Sequence, residues 1–248
     1  MIVGSVLITG ANRGIGLEFV KQLLALPKPP QFLFATCRNP SKADDLQQIA
    51  KSNLNVKIIK LDVKDYDSFP SVCEQVAQEV GESGLNLLIN NAGVMFGDSL
   101  DKVSKETMME NFEVNVVSPL LLTKELLPLL KAAATKGNTS SLSCSKAGVV
   151  NITSKMGSID DNTSGGCYPY RTSKTALNMV TKSLSVDLKP SGVLAFGLHP
   201  GWVQTDMGGS NALITPQTSV NGMLNTILNA SAEHCGLMLN YDGKRIPW

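Results

Sequence analysis

Val6-Leu7-Ile8-Thr9-Gly10-Ala11-Asn12-Arg13-Gly14-Ile15-Gly16 is the stretch on which the fold turns. Apolar and β-branched residues run into a glycine-rich break, after which Phe19, Val20, Leu23 and Leu24 recur on one face of a helix. Glycines at Gly10, Gly14 and Gly16 remove side chains where the turn meets the helix N-terminus, so backbone N–H groups can approach a pyrophosphate. Strand, glycine turn and helix in that order predict a dinucleotide site in the first βα unit of a doubly wound sheet. The next strand, over 32–36, leads to Arg38, where sites for the unphosphorylated dinucleotide place an acid. Arg38 and Arg13 instead set two cations where a 2′-phosphate would lie, which favours NADP(H) over NAD(H).

Outward from that unit, the first helix stops before Pro27-Lys28-Pro29-Pro30, and a second is expected over 41–51. Apolar runs at 56–61, 85–90, 149–153, 194–198 and 237–240 read as further strands separated by helical stretches. The pattern predicts one α/β domain over residues 1–248, with a central parallel sheet of about seven strands and helices on both faces. The small polar residues of 135–146 read as an exposed excursion, and 208–218 as a candidate lid.

Composition narrows the function. With 22 basic against 21 acidic residues and 17% charged overall, the chain has no electrostatic footprint for nucleic acid or an acidic membrane. Five cysteines without a C-x-x-C pair suggest neither a disulfide framework nor zinc, and with only His199 and His234 no metal site is expected. No apolar run approaches a spanning helix and the N-terminus lacks a signal-like segment, so the expected compartment is cytoplasmic.

Tyr170-Arg171-Thr172-Ser173-Lys174 places a tyrosine and a lysine four apart on one helix face. A neighbouring ammonium favours the phenolate, which would bring the tyrosine down from its ordinary pKa of about 10. With this pair the chain resembles the short-chain dehydrogenase/reductase family, whose motifs occur here in order. They are Thr9 to Gly16, Asp62-Val63, Asn90-Asn91-Ala92-Gly93, Asn115, Ser154, Tyr170 to Lys174, and Pro200-Gly201-Trp202-Val203-Gln204-Thr205-Asp206. Within the family the wording is most similar to sniffer-type carbonyl reductases and the C-factor group.

The resemblance implies a Rossmann-like domain and an NADPH-dependent carbonyl reductase acting on aldehydes, ketones or quinones. Tyr170 would be the proton donor, Ser154 a second hydrogen bond to the same oxygen, Lys174 a ligand of the nicotinamide ribose, and Asn115 the holder of a water linking Lys174 to solvent. The implied cofactor contacts are Gly10, Asn12, Arg13, Gly14, Ile15, Gly16, Arg38, Asp62, Val63, Asn90, Asn91, Ala92, Gly93, Tyr170, Lys174, Pro200, Gly201, Val203 and Thr205. Apolar residues beside these motifs, Met95, Phe96, Met156, Ile159, Trp202 and Met207, are the candidate pocket for a small hydrophobic carbonyl substrate, and His199 reads as structural. The segment between Ser154 and Tyr170 is a few residues longer than the commonest spacing in the family, which bears on the substrate mouth. Many members of the family pair through the helices of Asn115 and Tyr170; here those helices carry Leu120, Leu121, Met179 and Leu184, which a homodimer contact and core packing explain equally well. Two other functions are compatible with the same motifs: an alcohol or steroid dehydrogenase working oxidatively, and a nucleotide-sensing signalling protein.

Overall fold

Strands form where the apolar runs lie. In the computed structural model, which describes residues 3–136 and 141–248, they are Ser5–Ile8 (β1), Phe32–Cys37 (β2), Val56–Lys60 (β3) and Leu87–Asn90 (β4), then Gly148–Ile152 (β5), Leu194–His199 (β6), Met238–Asn240 (β7) and Arg245–Ile246 (β8). They make one sheet in the order β3-β2-β1-β4-β5-β6-β7-β8. Strands β1 to β7 are parallel and β8 runs antiparallel to β7, pairing Ile246 with Met238. This eighth strand adds to the about seven expected; two residues, one of them Arg245, carry no periodic signal.

Helices cover both faces as expected of a parallel sheet. On one face Gly14–Leu24 (α1), Asp44–Ser52 (α2) and Pro216–Leu228 (α7) bury Phe19, Leu23, Leu46, Met223 and Ile227 against Ile8, Ile89, Val150 and Phe196. On the other, Phe69–Val80 (α3), Ser118–Thr135 (α5) and Tyr168–Leu188 (α6) close over Leu7, Phe34, Leu88 and Val149. The helix expected over 41–51 is split: Pro40–Lys42 makes a single tight turn and α2 begins at Asp44. Proline fixes φ and has no N–H, which suits it to that opening turn.

Between Lys105–Phe112 (α4) and α5 the helix widens into a π turn, Glu113–Val117, with Asn115 at its centre. Pro119 has no N–H to give Asn115 the ordinary i+4 bond, a local cause for the widening. Of the apolar residues compatible with a dimer contact, Leu120 and Met179 are exposed, while Leu121 and Leu184 pack against the core. Part of the expected excursion, 137–140, lies outside the described residues. Among the described residues no helix is long and apolar enough to cross a membrane.

Candidate active site

Strand β1 lies between β2 and β4, so strand order reverses there and leaves a crevice at the carboxyl ends of β1 and β4. The loops that follow these strands are stitched together across it. Thr9 Oγ1 accepts from the backbone N–H groups of Asn91 and Ala92, each at 2.9 Å. Asn91 Nδ2 donates back to Thr9 O at 2.9 Å and Gly10 O at 3.2 Å. Glycine is required by this closeness: a Cβ on Gly16 would lie 2.2 Å from Gly10 O and 2.7 Å from Asn91 Nδ2. Gly10 and Gly14 also sit at φ +66° and +52°, where other residues are strained. The turn is a backbone-lined cradle at the N-terminus of α1, and its shape fits a dinucleotide pyrophosphate.

Arg38 is exposed immediately after β2, with Asp62 and Val63 half-buried after β3. Asp62 Oδ1 accepts from Lys64 N at 3.1 Å, so its carboxylate shapes the turn that carries it. Arg13 Nη1 is 2.7 Å from Asp206 Oδ2, on the loop after β6.

Ser154, Tyr170, Lys174 and Asn115 are all buried at the same ends of the sheet. Met156 N donates to Ser154 Oγ at 3.1 Å, which fixes the serine as the chain leaves β5. Tyr170 enters on the first turn of α6, and Lys174 one turn later has its Nζ 5.7 Å from the centre of the Tyr170 ring. Lys174 Nζ donates to Ile152 O at 2.9 Å. Burial pushes the Tyr170 phenol up to about 12, with the Ser154 hydroxyl drawing it partly back. Burial also draws Lys174 down to about 8. The lowered tyrosine expected from the i,i+4 spacing is thus not found: taking the phenolate out of water raises the group, and the Ser154 hydroxyl offsets that only in part.

The Asn115 amide is fully engaged. Nδ2 donates to Val94 O at 2.9 Å and Ser173 Oγ at 3.0 Å, and Oδ1 accepts from Val94 N at 3.0 Å. It pins the loop after β4 onto α6. Gly93 leaves room at this junction, since its Cβ position lies 3.1 Å from Asn115 Oδ1 and 3.7 Å from Lys174 Nζ. Asn90 is directed inward, donating to Asn151 Oδ1 at 2.8 Å and Thr123 Oγ1 at 3.2 Å. Ser173, Val94 and Gly157 contact the candidate site residues and were not singled out by the sequence. A Cβ on Gly157 would lie 2.8 Å from the Lys174 backbone, and Ser173 was legible only as an unassigned residue inside the Tyr170 to Lys174 motif.

Pro200, Gly201, Val203 and Thr205 follow β6. Thr205 Oγ1 accepts from Gly208 N at 3.1 Å, and Val203 is buried and bridges to Ile214. Burial, with Lys155 and Lys174 nearby, draws His199 down to about 4 and leaves it neutral at physiological pH.

The six candidate pocket residues divide between two places. Met95, Phe96, Trp202 and Met207 are exposed on the loops after β4 and β6, and Met95 Cε and Cys167 Sγ lie 3.9 and 3.7 Å from the Cβ position of Gly97. Met156 and Ile159 line a groove of about 470 Å³ with Arg171, Thr175 and Met179. Helical spacing puts those three on a face of α6 adjoining the one that carries Tyr170 and Lys174. The segment 208–218 is held on both sides: Gln204 N donates to Ile214 O, Trp202 Nε1 to Gly208 O, and Thr215 caps α7.

A backbone-lined cradle at a topological switch point, with serine, tyrosine and lysine at its rim, defines a class of enzyme. Residues 4–213 match the short chain dehydrogenase family, and the chain belongs to it. It is accordingly an oxidoreductase that works with a nicotinamide dinucleotide. Among solved structures it is similar to the carbonyl reductase Sniffer of Drosophila melanogaster, at a TM-score of 0.98 and 42% identity, covering 99% of this chain and 100% of that one. An NADPH-bound carbonyl reductase from chicken fatty liver gives 0.97 and 44%, covering 100% and 95%. In sequence, the C-signal protein of Myxococcus xanthus is 42% identical over 69% of this chain and 98% of that protein.

Proposed function

We propose that the protein is an NADPH-dependent carbonyl reductase for small hydrophobic aldehydes, ketones or quinones. The observation that carries this reading is the convergence of Ser154, Tyr170 and Lys174 beside the glycine cradle, in a chain 42–44% identical to two carbonyl reductases of the same fold. NADPH, when bound, supplies the hydride. Tyr170, protonated throughout the physiological range because burial raises it to about 12, gives its proton to the oxygen that gains charge as the carbonyl is reduced. Ser154 donates a hydrogen bond to that oxygen from a position fixed by Met156 N. Lys174 is anchored on Ile152 O, which leaves its remaining protons for the ribose hydroxyls of the nicotinamide half. Asn115 holds the floor of this site in place through Val94 and Ser173. Arg38, exposed beyond β2, is the cation for the 2′-phosphate.

The test is loss of NADPH absorbance with an aromatic aldehyde, an isatin, an ortho-quinone and a 3-ketosteroid, with NADH run in parallel. Turnover with NADPH exceeding that with NADH is expected. Tight NADPH binding without turnover on any of them would exclude these four substrate types and put nucleotide sensing on the same fold ahead of the reductase reading.

A further inference from the structure

We infer that Asn178 is a positioning residue for Ser154, its amide bridging the chain on either side of the serine. This rests on the roles proposed above for Ser154 and Tyr170. Asn178 lies on α6 one turn beyond Lys174 and two beyond Tyr170, so the three share one stripe of the helix. It is 4% exposed. Oδ1 accepts from Thr153 Oγ1 at 2.6 Å, and Nδ2 donates to Gly157 O at 3.1 Å and to Met238 Sδ at 3.4 Å. Both ends of the amide are therefore engaged, one on the residue before Ser154 and one on the turn after it.

The piece of chain so enclosed is short and held throughout. Thr153 N donates to Leu198 O at 3.0 Å, which keeps that residue on the sheet. From Ser154 the chain makes a single tight turn, Lys155–Gly157. Within it Met156 N donates to Ser154 Oγ at 3.1 Å and Gly157 N to Ser154 O at 2.8 Å. Gly157 O, at the end of the turn, also accepts from Thr175 Oγ1 at 2.9 Å, and Arg171 Nη1 reaches Met156 O at 3.4 Å. The serine's turn is thus moored to the same helix that carries the tyrosine and the lysine.

The reaction needs that mooring. The Ser154 hydroxyl is useful only within hydrogen-bond reach of the oxygen that Tyr170 protonates, and the two side chains come from different elements, the end of β5 and the start of α6. Apolar packing between a sheet and a helix is non-directional; hydrogen bonds to Thr153 and Gly157 fix both distance and direction. Packing alone does not call for an amide at this position. A buried apolar side chain at 178 would fill the space and leave the Thr153 hydroxyl, itself 1% exposed, without its acceptor.

Steady-state reduction of the panel carbonyl that the wild type turns over fastest, with NADPH affinity by calorimetry, tests this on Asn178→Ala, Thr153→Val and Thr153→Ser, each alone and combined with Ser154→Ala. Asn178→Ala should lower kcat by about tenfold, less than the roughly hundredfold of a full 1 Å misplacement, with NADPH affinity unchanged. Thr153→Val keeps the shape without the hydroxyl and should lose part of the same activity, while Thr153→Ser restores it. In the Ser154→Ala background neither Asn178→Ala nor Thr153→Val should cost anything further, since the group they position is gone. Losses that multiply with that of Ser154→Ala, or a fall in NADPH affinity, would make Asn178 a general support of the fold and overturn the positioning role. So would a wild-type kcat in Asn178→Ala. Should Asn178→Ala fail to fold, the Thr153 pair decides: equal activity of the Val and Ser variants overturns the proposal. A wild type inert toward all four carbonyls overturns the reductase reading instead, which separates that failure from failure of the positioning role.

Discussion

Tyr170 and Lys174 have their ionisation set in opposite directions by the same burial. A phenol pushed up to about 12 is a proton donor at any physiological pH, and a lysine drawn down to about 8 is the group whose charge is marginal. Tyr170→Phe removes the donor without altering the cradle. Reduction is therefore expected to fall by about a hundredfold or more, the range for loss of a general acid, while calorimetric NADPH affinity stays near wild type. Substantial residual turnover would assign the proton to another group. The pH profile carries a second prediction. Lysine is cationic below its pKa, so kcat/KM for reduction should be level through neutral pH and decline as pH rises past about 8. A decline only near 12 would place the limb on Tyr170 instead. The i,i+4 spacing was legible in the sequence and did put both residues on one face. The sign of the tyrosine shift was not, because desolvation depends on what the rest of the chain stacks above α6.

At the scale of the element, the turn from β1 to α1 is where local sequence and final geometry agree best. Gly10, Gly14 and Gly16 leave room for a phosphate: a Cβ on Gly16 would meet Gly10 O and Asn91, and Gly10 and Gly14 sit at positive φ. Gly16→Ala places a methyl against backbone and should destabilise the fold by about 1–3 kcal/mol, the usual cost of overpacking. Denaturant unfolding would register this as a lower midpoint at unchanged slope; an unaltered midpoint would mean that the turn yields easily. The segment 208–218 shows the opposite case. Its glycines and Asn211 mark it as a candidate lid, and what they do not show is that Trp202 and Gln204 hydrogen-bond it and that Pro216 already opens α7 behind the Thr215 cap. Composition reports a tolerance for irregular backbone and is blind to partners brought in by folding.

For the whole molecule, the crevice joins residues from opposite ends of the chain, so a ligand held there should stabilise the fold as one unit. NADPH at about 100 times its dissociation constant adds about 2.7 kcal/mol. For a protein of this size that corresponds to a rise in Tm of about 5–10 °C, readable by scanning calorimetry. NADH at equal concentration should give a smaller rise. No shift with either would mean that the crevice does not hold the dinucleotide.

The alternation of strand and helix, the glycine turn, the order of the family's motifs and the pairing of Tyr170 with Lys174 are all legible in the order of residues. Each depends on periodicity or steric freedom over a few neighbouring residues, which acts before distant parts of the chain meet. Folding is what sets Arg13 against Asp206, commits the Asn115 amide to Val94 and Ser173, lays Met156 and Ile159 along a groove with Arg171, Thr175 and Met179 of α6, and raises Tyr170 by burial. Contacts between remote residues and the dielectric around a buried group come into being only when the sheet closes, and no short stretch of sequence encodes them.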